Sequence, residues 1–377
     1  MNKMAPLISD TEASGPFLFW DGYGLDKKGS GIHRHAKEIA SQLKLIGVRP
    51  LLVGSNNSSY DLDTDIISAG TKFLPHQLYS SKLMWSEVAA KTLKQKKFKK
   101  GIIHGFSNIN IPIYGSSGND FSKVITVHDL IPLLKPDSVS KLARFQFGLR
   151  IKHVLSQADQ IVAVSNWTKK TIIKYFPKCE SKILVIPNGH NRWQSDLSKK
   201  SDKIQLLSVS RYETYKNLDF LFEVAQNLSS DFHLTLVTNQ EGFRELKSKY
   251  KDLISQQRAT ILCNVSDIDL DRLFSQANIL LHPSDAEGYC LPAAEATSRG
   301  VPVVYKSGSG IDEVVGDETS FGLCSLSPSD WVTTIYSKAE IKYDPEYRKR
   351  LKRHVDGKQH WEEVAKTLNQ LYVTLGL

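Results

Sequence analysis

Two carboxylates stand eight residues apart around a short turn in the second half of the chain. Glu287 lies in the stretch DAEGYCLPAAEATSRGVPVV, and Glu295 follows it. Pro292 suits the first turn of a helix, so we predict a helix that starts near residues 291–293, with Glu295 about one turn inside it. Paired carboxylates favour a hydroxyl-rich ligand, because each accepts two O–H hydrogen bonds. Alternatively, Glu295 acts only as a partner of the helix dipole.

The backbone between these two carboxylates offers hydrogen-bond donors. We expect the amides of Gly288, Tyr289, Cys290 and Leu291 to face the same space as Glu287. Free N–H groups at the start of a helix attract anions. This segment could therefore bind sugar hydroxyls and phosphate together.

Two cations follow a predicted strand in LLSVSRYETYKNLDFL (206–221). Arg211 comes just after the strand, and Lys216 stands at the start of the next helix. Two cations at the mouth of a cleft suit a diphosphate. The alternative is a pair of solvated loop charges.

Two loops in the first half could also carry chemistry. Gly29, Ser30 and Gly31 open a helix, and glycine there lets backbone N–H groups approach an anion, although the same residues also occur in plain loops. His128 and Asp129 directly follow a buried strand. A histidine at that place is either a functional group or a structural one.

The sequence does not favour a metal site. The acidic segments DLDTD (61–65) and DIDLD (267–271) contain the Asp-x-Asp pair that can bind Mg²⁺ or Mn²⁺. We interpret the first as a loop and the second as a helix start, so neither clearly ends a strand. The histidines of HRH (33–35) point to different faces of a helix. We therefore expect no metal and no other cofactor.

The elements that must position these residues follow a βαβ rhythm. Short, β-branched apolar runs alternate with amphipathic helical patterns, which predicts parallel sheets covered by helices. The predicted strands are PLLVG (50–54), KGIIHGF (100–106), VITVHDL (124–130), QIVAVS (160–165), IQLLSVS (204–210), FHLTLVT (232–238), ATILCNV (259–265), ANILLHPS (277–284) and VPVVYKS (301–307).

The rhythm stops at a polar, turn-rich segment around 187–203 and then restarts. We therefore predict a Rossmann-like domain over 1–190, a second one over 200–357, and a C-terminal amphipathic helix over 358–377 that crosses back to the first. The fold class is α/β, with the two domains facing each other across a cleft. Ligands bind at the carboxyl ends of such strands.

Charge and composition limit the possible partners. The chain has 377 residues and a net charge of +9, and residues 1–190 hold 26 Lys and Arg against 14 Asp and Glu. The densest basic patch is KTLKQKKFKK (91–100), either a solvated helix end or a surface for anionic lipid or nucleic acid. The sequence has no recognisable nucleic-acid-binding motif, so we expect no nucleic-acid partner. Four scattered cysteines, and no apolar run of about 18 residues, favour a reduced, cytoplasmic protein.

The order of these motifs resembles the GT-B-fold retaining glycosyltransferases of family 4, the glycosyl transferases group 1 set. EGYCLPAAEATSRGVPVV resembles the family's Glu-x7-Glu segment, and SVSRYETYKNLDFL its phosphate-binding Arg and Lys. VIPNG, AVSNWTKKTI, VHDLIP, GSGIHRH and the terminal helix with Trp361 match further family motifs. The resemblance spans about residues 20–375.

The resemblance implies a role for each residue. Glu287 would contact the donor sugar and Glu295 the ribose. Arg211 and Lys216 would bind the diphosphate, together with the amides of Gly29, Ser30 and Gly31. His128 would lie beside the transferred sugar on the acceptor side, and the base would rest near Val265 in CNVSD (263–267). Cys290 replaces the usual glycine, and we expect it to have a negative φ.

The resemblance also implies transfer of a sugar with retention, from a nucleotide sugar to a glycan or lipid-linked oligosaccharide in bacterial surface polysaccharide assembly. We expect GDP-mannose as the donor, with glucosyl, galactosyl, N-acetylhexosaminyl and rhamnosyl transfer as alternatives. A non-catalytic GT-B protein that binds a nucleotide sugar is a further alternative. The basic first domain would contact an anionic membrane peripherally, at its inner face.

Overall fold

A computed structural model describes residues 16–26, 30–55, 60–69, 85–108, 120–193, 202–316 and 319–377. The strands in these ranges are β1 (Phe17–Asp21), β2 (Leu51–Ser55), β3 (Asp65–Ala69), β4 (Lys100–Gly105), β5 (Asp120–Val127), β6 (Gln160–Ala163), β7 (Ile183–Val185), β8 (Ile204–Val209), β9 (Phe232–Val237), β10 (Ala259–Leu262), β11 (Ile279–His282), β12 (Val303–Lys306) and β13 (Phe321–Leu323).

The α-helices of the same ranges are α1 (Gly31–Leu45), α2 (Trp85–Gln95), α3 (Ile131–Leu134), α4 (Lys141–Gln157), α5 (Asn166–Tyr175), α6 (Leu218–Asn227), α7 (Gln240–Lys249), α8 (Lys251–Ser255), α9 (Asp267–Gln276), α10 (Leu291–Ser298), α11 (Ile311–Val315), α12 (Pro328–Lys338), α13 (Pro345–Asp356) and α14 (Trp361–Thr374). Short 3₁₀ helices span Pro136–Ser138, Pro177–Lys182, Thr214–Lys216 and Ile341–Tyr343. None of these helices is both long and apolar enough to cross a bilayer.

The chain divides into two compact units. Unit 1 comprises the residues up to Leu130, Lys141–Asn188 and Trp361–Leu377. Unit 2 comprises Ile131–Ser140 and Gly189–His360. The chain therefore passes from unit 1 to unit 2 after Asn188, and it returns after His360.

Unit 1 is built on a seven-stranded parallel sheet in the order β3-β2-β1-β4-β5-β6-β7. In chain order, β1, β2 and β3 lie side by side toward one edge of the sheet, and β4 then lies on the other side of β1. This reversal between β1 and β4 is the point where open α/β sheets bind ligands. The loops that follow β1, β4 and β5 therefore lie at the edge of the sheet where ligands bind in this class of fold.

Unit 2 repeats the arrangement with six parallel strands in the order β10-β9-β8-β11-β12-β13. Its reversal lies between β8 and β11. The core behind it is apolar, with Phe220 and Phe222 of α6 and Trp331 of α12 buried against the sheet. Two parallel α/β sheets confirm the predicted fold class.

The C-terminal helix belongs to unit 1, where α14 packs against α1. The ring of Trp361 lies 5.8 Å from that of His35, and Tyr372 Oη lies 2.6 Å from His104 Nδ1. The other ring nitrogen of His104 lies 2.8 Å from Thr126 Oγ1. Burial lowers the pKa of His104 to about 3, so this histidine is neutral and holds α14 through its hydrogen bonds.

All nine predicted strands are confirmed, within a few residues at their ends. The structure adds β1, β3, β7 and β13, which are missing from the prediction. The predicted helix start near 291–293 is also confirmed, because α10 begins at Leu291 with Pro292 in its first turn.

Candidate active site in the second unit

The centre of the candidate site is a buried carboxylate, Glu287, in the loop after β11. One oxygen, Oε1, lies 2.5 Å from Lys216 Nζ and 2.5 Å from His282 Nε2. Burial alone would raise the pKa of Glu287, but the charge of Lys216 and the contact with His282 lower it well below its usual range. Glu287 is therefore an anion that already has two donors.

Lys216 comes from the other side of the reversal, in the 3₁₀ helix after β8. Burial alone would lower the pKa of this amine, but Glu287 raises it above the usual value. Asn217, in a left-handed conformation with φ 51°, donates from Nδ2 to the Pro283 carbonyl at 3.0 Å. The N–H of Asp285 donates to the Tyr215 carbonyl at 2.8 Å. These bonds hold the β8 and β11 loops together.

A second ion pair lies in the same β11 loop. Asp285 pairs with Lys306 at the end of β12, and its Oδ2 lies 3.4 Å from Lys135 Nζ. Burial would raise the pKa of Asp285, but the hydrogen bond and charge of Lys306 and the charge of Lys135 together lower it. Both acids of this loop are thus held ionised by lysines from neighbouring loops.

Arg211 stands apart from this cluster in the structure. Its side chain is 66% exposed, and Nη2 lies 3.5 Å from Glu213 Oε1. The sequence predicted that these two cations act together, but their surroundings differ. Lys216 is buried and paired with Glu287, whereas Arg211 is exposed. An exposed ion pair stabilises little, so the Arg211 side chain can move toward a ligand at small cost.

The turn after Glu287 approaches the loop before α11 closely. The Gly310 N–H donates to the Glu287 carbonyl at 2.8 Å, and a Cβ on Gly310 would lie 2.2 Å from the Gly288 carbonyl oxygen. Tyr289 Oη lies 3.0 Å from His190 Nδ1, and both side chains are buried. Backbone and side-chain contacts therefore fix the turn on both sides.

The expectation for Cys290 is wrong. Its φ is 85° and its ψ is 75°, so it has the left-handed conformation that favours glycine. Cys290 precedes α10 as its N-cap and lacks a side-chain capping bond. A Cβ in this conformation costs roughly 1–2 kcal/mol. This conformation is maintained because packing fixes the residues on both sides of Cys290. Glu287 and Tyr289 precede it, and the buried helix α10 follows it.

Glu295 is buried on α10, one turn after its start. Burial raises the pKa of the Cys290 thiol, and the charges of Glu287 and Glu295 raise it further, while Lys216 acts in the opposite direction. Both carboxylates thus lie close enough to Cys290 to act on its proton. The two glutamates are therefore both buried, Glu287 before Cys290 and Glu295 after it.

Three atoms of this cluster could in principle hold a metal ion. His282, Glu287 and Cys290 each offer one, and these atoms lie within 4.8 Å of one another. Glu287 Oε1 already accepts a hydrogen bond from the Lys216 ammonium, and burial raises the pKa of the Cys290 thiol. A metal ion at this site would have to displace both the ammonium and the thiol proton.

The acidic motifs considered for metal have other partners. DIDLD forms the first turns of α9, where Asp269 pairs with Arg272 and Asp271 with Arg299. In DLDTD, Lys37 pairs with Asp61, and Lys44 pairs with Asp63. These carboxylates form surface ion pairs.

The loop predicted for the base connects β10 to α9. Val265 is half-buried there, between Asn264, whose φ is 54°, and Ser266, whose Oγ accepts the Asp269 N–H at 3.1 Å. Cys263 Sγ lies 3.3 Å from Gln240 Oε1. The role of Val265 stays a prediction.

His128 in unit 1 is held by its backbone at the end of β5. Its N–H donates to Asn108 Oδ1 at 2.7 Å, and its carbonyl accepts from Thr168 Oγ1 at 3.2 Å. Burial lowers the pKa of His128 to about 4, although a hydrogen bond with the Phe106 backbone acts to raise it. Within the described ranges, Nε2 is buried and has no hydrogen-bond partner. The ring is therefore neutral and has an unused nitrogen.

The helix predicted after the glycine-rich loop begins at Gly31. Ser30 is its N-cap, and its Oγ accepts the His33 N–H at 3.1 Å. The first turn of α1 has no acidic residue, so its free N–H groups keep their positive character. Gly29 lies outside the described residues.

Sequence reasoning missed two residues. His282 ends the buried strand β11 and contacts Glu287. The sequence feature that could have identified it is a polar residue at the end of the apolar strand ILLH. Asp21 ends β1, is fully buried, and accepts from the Tyr23 N–H and the Trp85 indole. Burial raises the pKa of Asp21 to about 6. Both residues lie at the carboxyl end of a parallel strand, where ligands bind in open α/β sheets.

Known proteins resemble the chain in sequence and in fold. Residues 190–355 match the family described as Glycosyl transferases group 1, and residues 29–192 match Glycosyltransferase Family 4. The O-antigen chain mannosyltransferase RfbU of Salmonella typhimurium is 28% identical over 211 residues, which cover 55% of this chain and 58% of that protein. The matched region thus spans a little over half of that relative's length.

Two solved structures show the same fold at low sequence identity. Sucrose-phosphate synthase from Thermosynechococcus elongatus has a TM-score of 0.76 and 18% identity, over 96% of this chain and 99% of that one. HepE of Anabaena, in complex with UDP and glucose, has a TM-score of 0.73 and 14% identity, over 96% and 100%. Identities this low report the fold alone.

Proposed function

This chain belongs to glycosyltransferase family 4, the glycosyl transferases group 1 set, and from that premise we propose that it is a retaining hexosyltransferase acting on a nucleotide-sugar donor. The observation that carries the proposal is the buried cluster of Lys216, Glu287 and His282 at the strand reversal of unit 2. It combines a cation for phosphate with a carboxylate for sugar hydroxyls.

The donor's parts have matching groups in unit 2. Glu287 accepts hydrogen bonds from the sugar hydroxyls, and Glu295 accepts them from the ribose. Lys216 and Arg211 bind the diphosphate with the amides of residues 288–291. The base rests near Val265. When the donor binds, Lys216 exchanges its contact with Glu287 for one with phosphate, and Glu287 is released to the sugar.

Unit 1 supplies the remaining groups. The N–H groups of Gly29, Ser30 and Gly31 approach the diphosphate, as a helix start does for anions. The neutral ring of His128 sits on the acceptor side of the transferred sugar and offers its unused Nε2 as a hydrogen-bond partner. A neutral imidazole there adds no positive charge beside a developing oxocarbenium ion.

The proposed reaction follows a front-face path. The bond from the anomeric carbon to the leaving phosphate oxygen breaks, and the bond to the acceptor oxygen forms on the same face of the sugar. The acceptor's proton passes to the departing phosphate oxygen. Lys216 and Arg211 stabilise the negative charge of the leaving diphosphate, so the proposal requires no metal. Activity should survive EDTA.

We propose mannose, carried by GDP, as the sugar. RfbU, the relative described above, is a mannosyltransferase of O-antigen chains, and that is the support. Glucosyl, galactosyl, N-acetylhexosaminyl and rhamnosyl transfer are the rival assignments. A thermal-shift screen over nucleotide sugars tests base and sugar together. The largest stabilisation is expected with GDP-mannose, and a larger one with another donor would replace it.

The acceptor is proposed to be a glycan or a lipid-linked oligosaccharide of a bacterial surface polysaccharide, met at the cytoplasmic face of the membrane. Residues 1–190 carry a net charge of +12, which favours an anionic acceptor. Lys96, Lys97, Lys99 and Lys100 follow α2 and would contribute to this contact. Replacing all four by glutamine should weaken salt-sensitive binding to anionic vesicles, and unchanged binding would remove them from the proposal.

Turnover and stereochemistry separate this proposal from its alternative. A non-catalytic protein would bind a nucleotide sugar without consuming it. We expect wild type to transfer the sugar, and Glu287→Ala to lose at least about a hundredfold in rate, since a hydrogen-bond donor or acceptor at a reacting centre contributes that much. An NMR spectrum that showed an inverted anomeric configuration would contradict retention.

A further inference from the structure

Helix α4 of unit 1 has one buried face and one exposed apolar face. Ile151, Val154 and Leu155 are buried, and all three lie in the second half of the helix. The first half, from Lys141 to Leu149, has no buried residue. The helix is therefore anchored at its C-terminal end and presents its N-terminal half to solvent.

The exposed face carries three large apolar side chains. Leu142 is 65% exposed, Phe145 is 64% exposed and Leu149 is 55% exposed. With the 3.6-residue period of a helix, these positions fall within an arc of about 60°, opposite the buried face. Three such side chains in one stripe form a patch of the kind that marks an interaction site.

The charges of α4 identify the kind of partner. The 17 residues of α4 include Lys141, Arg144, Arg150 and Lys152, but no Asp or Glu. Lys141 and Lys152 lie at one edge of the apolar stripe, roughly 20–40° from Phe145. Arg150 is not counted among the cations available to a partner, because its charge acts on Asp21 and Tyr23 inside unit 1.

We propose that α4 docks on the surface of a lipid bilayer that contains anionic lipids. Leu142, Phe145 and Leu149 enter the boundary between headgroups and acyl chains, and Lys141 and Lys152 reach the phosphates. The charged side chains beside the stripe, Lys141 and Lys152, are both cations, which matches an anionic lipid surface. The inference concerns a different element from the lysines after α2, and it holds whether or not the proposed transferase reaction does.

Vesicle sedimentation tests the proposal. The full chain is incubated with phosphatidylcholine vesicles, with and without phosphatidylglycerol. Wild type should sediment with the anionic vesicles. The triple variant Leu142→Ser, Phe145→Ser, Leu149→Ser should partition about tenfold or more weakly, because the apolar area that enters the boundary is lost. Its thermal unfolding should match wild type, since these side chains are exposed.

A matched control removes apolar groups of similar exposure elsewhere in unit 1. Leu45 at the end of α1 is 76% exposed, and Ile66 on β3 is 49% exposed. The variant Leu45→Ser, Ile66→Ser should bind anionic vesicles like wild type. Equal binding of the triple variant and wild type would overturn the proposal, as would a wild type that stays in the supernatant.

A depth measurement separates insertion from adsorption by charge. Phe145→Trp and Leu45→Trp are compared with wild type on vesicles that contain brominated lipid, which quenches tryptophan only at close range. The emission added by Phe145→Trp should be quenched, and that added by Leu45→Trp should not. Equal quenching of the two would overturn insertion. A further outcome is that the triple variant binds vesicles like wild type and differs only in the molecular mass of the vesicle-free protein. The stripe would then be an interface between copies of the chain, and the proposal would fail.

Discussion

Lys216 Nζ lies 2.5 Å from Glu287 Oε1, and this contact joins the loops that follow the two central strands of unit 2. Both side chains are mostly buried, so each charge depends on the other for compensation. The pair lies where the order of parallel strands reverses, at the edge that binds ligands in such sheets. Its position gives it a part in stability as well as in the proposed reaction.

Removing one partner of this pair should destabilise unit 2. Lys216→Met leaves the Glu287 carboxylate buried without its cation, so the free energy of unfolding should fall by about 3–5 kcal/mol. The double variant Lys216→Met, Glu287→Leu should recover much of that loss, since it buries no lone charge. Urea denaturation of the three proteins measures both effects. A double variant less stable than Lys216→Met would contradict the compensation between the two charges.

The free energy of unfolding at acid pH should depend on the ionisation of Glu287. Its pKa in the folded chain is below that of an unfolded glutamate, so its contribution to stability is present above about pH 4.3 and is lost as the pH falls below that value. In Glu287→Gln, the unfolding free energy should therefore depend less on pH below about pH 4.3. Denaturation curves measured at several acidic pH values test this. An identical pH dependence in both proteins would argue against an ionised Glu287.

The buried His104 should also make folding depend on pH. Its folded pKa is about 3, and an unfolded histidine titrates near pH 6.5, so between these values the unfolded chain binds the extra proton. Stability should fall with decreasing pH by about 1.4 kcal/mol per unit for this group. His104→Gln should remove that slope from pH 6 to 4. His233, whose ring lies near the surface of unit 2, offers the control His233→Gln, which should leave the slope in place.

Cys290 offers a test of backbone conformation. Because its φ is 85°, Cys290→Val should lower the unfolding free energy by at least about 2 kcal/mol, since a β-branched side chain fits the left-handed region poorly. Cys290→Gly should stay within about 1 kcal/mol of wild type, because relief of strain offsets the lost burial. Thermal melts compare them. Similar stabilities for the Val and Gly variants would mean that φ is not what limits this position.

Gly310 should tolerate no side chain. A Cβ there would meet the Gly288 carbonyl oxygen at 2.2 Å, so Gly310→Ala must displace the turn that follows Glu287. We expect a loss of about 1–3 kcal/mol in stability and weaker donor binding. For stability alone, Gly31→Ala is the matched control, because a Cβ at Gly31 would meet nothing within 4 Å. Equal stability of the two variants would contradict the close approach.

Local patterns were enough to predict the scaffold. Runs such as ANILLHPS and VPVVYKS are apolar throughout, as strands covered on both faces must be, and β11 and β12 lie inside them. The strand β3 was missed because Asp65–Ala69 is a largely exposed edge without an apolar run. The strands β7 and β13 have only three residues each, too few for a pattern.

The candidate site was predictable only in part. Glu287 and Lys216 were visible because each follows a predicted strand, but their contact across 71 residues depends on the order of strands in the sheet. The φ of Cys290 was misjudged because cysteine normally avoids that conformation, and only the surrounding packing imposes it. The exposure of Arg211 is likewise set by its loop, and the sequence shows only its type.

The two places where the chain passes between its units are joined to each other. His190 N–H donates to the Gln359 carbonyl at 2.9 Å, and His190 pairs with His360 as a parallel bridge. Unit 2 is therefore, in topological terms, an insertion whose ends meet, which makes residues 189–360 suitable for excision or circular permutation. The excised segment would lose residues 131–140, and with them the Lys135 partner of Asp285. The excised fragment should thus keep the Lys216–Glu287 pair and leave Asp285 with Lys306 as its cation.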